Sequence, residues 1–166
     1  MSNEREEKFL EAINQHIGLV HRVCNSYLWD QDEERLDLFQ EIMYQLWKGF
    51  PHFRGEAKLS TWMYQVALNT AITYRKKQNR NPVQVPMTEQ YHHLYERQDN
   101  STEERIVLLY KAIHTLSDLD KAIILLHLEE HSYQDIASLT GLSKSNISVR
   151  LVRIKKALEA RLKTVM

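Results

Sequence analysis

The chain has 166 residues, with 22 Lys and Arg against 22 Asp and Glu, so its formal net charge is zero. Apolar residues make up 43% of it, ordinary for a globular protein, and no apolar run approaches the roughly 20 residues of a membrane span. The single cysteine, Cys24, excludes an internal disulfide framework and a cysteine-based zinc site, which fits a reducing compartment.

The N-terminal stretch MSNEREEKFLEAINQ is too charged for a signal peptide, so a cytoplasmic location is expected. With four glycines and three prolines, an all-α architecture with short connections is expected. Phe9, Ile13, Ile17, Val20, Val23 and Cys24 recur at helical spacing, followed by Tyr27 and Leu28. One long helix over residues 5–28 with one buried face follows, and Cys24 falls on or beside that face as a structural thiol.

Residues 30–41 hold six acids against Arg35 alone. The helix DLFQEIMYQLWKGF, which includes the end of this run, should bury Leu36, Phe39, Ile42, Met43, Leu46 and Trp47. Its other side offers Asp37, Gln40, Glu41, Tyr44 and Lys48. Spacing alone leaves two roles open for that side: a solvated acidic face, or a docking surface for a basic protein partner.

GFPHFRGEAK, residues 49–58, breaks the helix at Gly49, Pro51 and Gly55, yet holds Phe50, Phe53 and Arg54. Ser60 or Thr61 is expected to cap the next helix, whose stripe is Met63, Val66, Ala67 and Ala71, with Tyr74 at its end. Trp62, Gln65 and Asn69 lie on the other side, and Arg75, Lys76, Lys77 and Arg80 end it. Loop aromatics, an amide-bearing face and a basic end suit single-strand binding by stacking and phosphate neutralisation. A core tryptophan and a helix end that favours cations explain the same residues.

Residues 79–102 lose the helical period, and Pro82 and Pro86 mark a linker. The expected organisation is two small helical domains, 1–80 and 103–166, joined by a flexible linker over 81–102. His92 and His93 lack further ligands around them, so no metal is assigned there. Ile106, Leu109, Ile113 and Leu116 give one helix stripe. Ser117 or Asp118 starts a second helix, nearly apolar from Ala122 to Leu128, as the core of this half. His127-Leu128-Glu129-Glu130-His131 matches the H-x-x-E-H zinc-peptidase pattern. That pattern needs one continuous helix, and here it runs into the Ser132 cap, so no metal site and no catalytic residue is assigned.

From Ser132 on, the chain reads as two helices and a tight turn. Ser132 caps a short helix with Asp135 three residues on, and Ile136, Ala137 and Leu139 are its apolar side. Gly141 supplies a left-handed turn, and Ser143 caps a helix with Ile147, Leu151, Ile154, Leu158 and Leu162 buried. Ser145, Asn146, Val149, Val152, Arg153 and Lys156 then face outward. Asn and Arg suit base edges, Val suits a thymine methyl, and seven basic residues against Glu159 over 141–166 suit phosphate. A solvated helix end is the plainer account of a basic helix alone, but the capped short helix and glycine turn favour DNA binding.

In this order the parts resemble the extracytoplasmic-function group of bacterial sigma factors, in the sigma-70 family. The resemblance rests on the D-L-x-Q-E helix, the F-R-G loop, the S-T-W start, the N-T-A segment and the S-Y-x-D-I-A helix-turn-helix. It implies a region-two-like domain and a region-four-like domain. It implies docking on core RNA polymerase through Asp37, Gln40 and Glu41, with Tyr44 beside them. Phe53, Arg54, Gly55, Glu56, Trp62, Gln65 and Asn69 are then expected to read and open the −10 element, with Arg75 and Lys76 on phosphates. Ser145, Asn146, Ser148, Val149 and Arg153 are expected at the −35 element of promoter DNA, with Lys156 on phosphate. A separate anti-sigma partner is an expectation from the family, and no cofactor is implied. The chain departs from the family at Leu116-Ser117, where Leu-Pro is common, at His131, where Gly is frequent, and at Ser148, where a basic residue is common. A dimeric helix-turn-helix regulator is the alternative, but it leaves the first half unexplained.

Overall fold

The computed structural model describes residues 2–80 and 100–165, and every regular element among them is helical. The helices are α1 (Ser2–Tyr27), α2 (Asp32–Gly49), a 3₁₀ turn (Phe50–His52), α3 (Leu59–Arg80), α4 (Asn100–His114), α5 (Asp118–Leu128), α6 (Tyr133–Thr140) and α7 (Lys144–Val165). The chain divides into two compact units, Met1–Pro82 and Val83–Met166. Most of the expected linker, with His92 and His93, lies outside the described residues, and α4 begins inside its last three positions.

In the first unit α1, α2 and α3 pack on one another. The α1 stripe is buried as its spacing requires, except that Ile17 is only half-buried. Burial pushes the Cys24 thiol up to about 12, against a smaller opposing pull from the Arg35 guanidinium.

The core face of α2 differs from the expected one. Leu38, Ile42 and Leu46 are completely buried, whereas Leu36 is 58% exposed. Steps of four set the face, and Leu36 lies two positions, about 200°, from Leu38. Phe39, Met43 and Trp47 flank the stripe half-buried. The helix also starts earlier, so the acidic residues Asp32, Glu33 and Glu34 occupy its first turn, where they complement its dipole.

α3 touches both α1 and α2, so its apolar face is wider than one stripe. Tyr64 and Leu68 join Met63, Ala67 and Ala71 in the core, while Val66 is half-buried. Neither Ser60 nor Thr61 is the cap. The Trp62 N–H already donates to Lys58 O at 3.1 Å, which places both residues within the first turn.

In the second unit α4, α5 and α6 each pack on α7, and α5 also packs on α6. Ser117 caps α5 by accepting the Asp120 N–H at 3.2 Å. Ala122 to Leu126 are buried, as are Ile113, Ile136 and the α7 stripe from Ile147 to Leu158. Two expected core positions stay out: Ile106 is 48% exposed and Leu128 52%. Lys121 is buried instead, its Nζ 3.8 Å from an Asp118 carboxylate oxygen.

α5 stops at Leu128, so His127 and His131 do not share one continuous helix. Glu130 turns the chain with φ 66°, and the His131 Nδ1 meets the Leu126 carbonyl at 3.1 Å. The left-handed residue of this corner is Glu130.

Candidate nucleic-acid and protein interfaces

The helix-turn-helix is fixed by short-range bonds. The Asp135 N–H donates to Ser132 Oγ at 3.1 Å and starts α6. Gly141, at φ 77°, closes it with an N–H to the Ala137 carbonyl at 2.9 Å. The Asn146 N–H donates to Ser143 Oγ at 3.1 Å and starts α7. Ile147, Leu151, Ile154 and Leu158 are buried, and their burial sets the helix rotation.

Ser145, Asn146, Arg153 and Lys156 are therefore exposed, as are Val149 and Val152 at about half of their surface. Ser148 lies at the edge of this ridge, half-buried. One member of the cluster was counted in the sequence only as charge. Arg150 Nε donates to Asn146 Oδ1 at 3.2 Å, and its terminal nitrogen pairs with Asp120 at 2.9 Å. The four-residue spacing from Asn146 to Arg150 was visible in the chain, but the Asp120 end, thirty residues away, was not.

A second surface lies on α2. Asp37, Gln40, Glu41 and Tyr44 are all exposed, opposite the Leu38–Ile42–Leu46 face. Within the acidic run the structure separates two groups. Asp32 pairs with Arg35, and Glu34 accepts from Tyr74 and Gln78, so both serve the fold. Asp37 and Glu41 remain on the outer face, where Glu41 accepts from Gln45 at 3.0 Å.

A third surface joins the loop after the 3₁₀ turn to α3. Arg54, Gly55 and Glu56 are exposed, with Gly55 at φ 75°. Phe53 packs on Trp62 with ring centroids 5.3 Å apart. A Cβ placed on Gly49 would lie 3.0 Å from the Trp62 ring, so glycine there admits the indole. Trp62 is thus a half-buried wall between the loop and the end of α2. Gln65 and Asn69 are exposed one turn apart beyond it, then half-buried Arg75 and exposed Lys76.

Residues 12–81 match Sigma-70 region 2, and residues 106–158 match Sigma-70, region 4. The ECF RNA polymerase sigma-E factor of Haemophilus influenzae is 30% identical over 142 residues, covering 78% of this chain and 75% of the relative. The RNA polymerase sigma-H factor of Pseudomonas aeruginosa is 26% identical over 162 residues, covering 90% and 81%. Among solved structures, the sigma factor RpoE of Bartonella quintana, in complex with the anti-sigma factor NepR, superposes with a TM-score of 0.71 at 21% identity. That match covers 95% of this chain and 98% of the other and shows a shared fold. The chain belongs to the extracytoplasmic-function group of the sigma-70 family and is an RNA polymerase sigma factor. No helix among the described residues is long and apolar enough to cross a membrane.

Proposed function

We propose that this sigma factor docks on core RNA polymerase through Asp37, Gln40, Glu41 and Tyr44, and reads promoter DNA with the other two surfaces. Ser145, Asn146, Ser148, Val149 and Arg153 meet base edges of the −35 element in the major groove, with Lys156 on phosphate. The Phe53–Glu56 loop, Trp62, Gln65 and Asn69 take the −10 element, with Arg75 and Lys76 on the backbone. The protein acts in the cytoplasm as a dissociable specificity subunit without catalysis of its own. A protein partner of the anti-sigma type regulates it, as NepR partners the Bartonella quintana protein.

One observation carries this assignment. A single chain holds an exposed polar ridge on a basic helix-turn-helix and, in its other unit, an acidic face and an amide-bearing face. A dimeric repressor uses the first and leaves the other two idle. The test is dependence on core polymerase. The chain alone should bind duplex promoter weakly, and specific transcription should appear only with core enzyme. Asp37→Arg with Glu41→Arg should abolish co-purification with core enzyme at unchanged helical content. Tight, sequence-specific binding by the chain alone overturns the assignment.

A further inference from the structure

The amide of Asn146 is oriented by its neighbours, and that orientation limits which base it can read. Arg150 Nε donates to Asn146 Oδ1 at 3.2 Å. An arginine has donors and no acceptor, so the amide atom facing it must be oxygen. Arg150 in turn is anchored from another helix by Asp120 at 2.9 Å, and both side chains are about one-third exposed or less. The Asp120 backbone is itself held in place, because its N–H donates to the Ser117 Oγ that caps α5. Ser117, Asp120, Arg150 and Asn146 thus form one chain of bonds from the start of α5 to the exposed ridge of α7.

We propose that Asp120 and Arg150 are positioning residues that turn the Asn146 oxygen along the helix and leave its N–H groups to meet the base, so that the base it reads is an acceptor edge, guanine first and thymine second. This rests on the base-reading role given to Asn146 above. Guanine presents two acceptors, N7 and O6, to the major groove, and thymine presents O4. An N–H of the Asn146 amide can donate to any of them, and guanine offers two. Adenine needs the opposite combination, an oxygen to accept from N6 and an N–H to donate to N7. The oxygen that an asparagine uses for adenine is here turned along the helix to Arg150. Cytosine offers a donor, N4, against which a donating amide has nothing to accept with.

The experiment is promoter selection by the full-length protein with core polymerase from a library randomised across the −35 element. Asn146→Ala identifies the position: preference there should flatten by roughly five- to a hundredfold, the value of one good base contact. At that position the unaltered protein should select guanine or thymine. Arg150→Met removes the donor and frees Oδ1, so preference at the same position should move toward adenine while the neighbouring positions hold. If Arg150→Met loses helical content, Asp120→Ala replaces it, loosens the same arginine and should give a smaller shift in the same direction. Adenine or cytosine selected by the unaltered protein at the mapped position overturns the proposal. So does an unshifted preference in a folded Arg150→Met or Asp120→Ala protein. A library unchanged everywhere by Asn146→Ala instead removes the base-reading role itself, a distinguishable failure.

Discussion

The Tyr74 hydroxyl donates to a carboxylate oxygen of Glu34 at 2.7 Å, tying the C-terminal half of α3 to the first turn of α2 across forty residues. Gln78 adds bonds to the same carboxylate and to Gln31, the latter at 3.3 Å. Burial, and then the bond to Glu34, push the Tyr74 hydroxyl well above its usual range. Because the folded value is raised, this contribution is complete below the unfolded tyrosine value of about 10 and fades as pH rises beyond it. Tyr74→Phe should therefore cost roughly 1–2 kcal/mol in urea unfolding at pH 7. The gap between variant and parent should narrow above about pH 10. A gap that is constant from pH 7 to 11 contradicts the linkage.

Leu36 and Leu38 show where the sequence was legible and where it was not. The caps and turn of the second unit were readable because they are local: Ser117, Ser132, Ser143 and Gly141 each act within four residues of themselves, whereas the starts of α2 and α3 lie earlier than the pattern placed them. The rotation of α2 was not, since one short stripe fits two neighbouring phases until the partner helices choose. Bonds such as Tyr74–Glu34 and Arg150–Asp120 depend on which helices meet, and nothing in the local pattern marks them. The α2 face is decided by a paired measurement. Leu38→Ala, at a fully buried site, should cost about 2–5 kcal/mol. Leu36→Ala should stay within about 0.5 kcal/mol. Equal losses in chemical denaturation would return Leu36 to the core.

Glu130 holds the left-handed conformation at φ 66°, in the corner between α5 and α6. A side chain there costs about 1–2 kcal/mol that glycine avoids. Glycine returns part of this through the greater freedom of its unfolded chain. Glu130→Gly should thus stabilise the second unit by up to about 1 kcal/mol, read as a higher midpoint in its urea transition. A lower midpoint means that the Glu130 side chain contributes more than its backbone costs.

Arg153 and Lys156 are both exposed on α7, yet their proposed contacts differ in kind. A base contact carries sequence preference, and a phosphate contact carries salt dependence. Arg153→Ala should weaken promoter-specific transcription by roughly five- to a hundredfold. Lys156→Ala should weaken all promoters alike and reduce the slope of log affinity against log salt by about 1. Holoenzyme binding measured from 50 to 200 mM salt separates the two. Identical slopes for Lys156→Ala and the unaltered holoenzyme remove Lys156 from the backbone.

Opening a promoter asks for several kilocalories per mole without an energy source, because each unstacked base costs a few kcal/mol. Binding must offset that by engaging what the duplex hides. The loop from Phe53 to Glu56 is shaped to present groups outward. Gly55 at φ 75° turns the chain, no side chain crowds it, and Arg54 and Glu56 are exposed on either side. Phe53 anchors the loop against Trp62, and the Trp62 ring lies close over Gly49, where a Cβ would stand 3.0 Å from it. Beyond this wall Gln65 and Asn69 stand one turn apart with amides that suit base edges. Replacing Phe53 to Glu56 with a Gly/Ser linker should cripple transcription from duplex promoters while leaving core binding, proposed to run through α2, intact. A template already mismatched across the −10 element should restore part of the activity, since the unstacking no longer falls to the protein. Gly49→Ala, which presses on Trp62 without touching the loop, should show a milder form of the same pattern. No relief from the pre-opened template, with folding and core binding preserved, would assign strand opening to other residues.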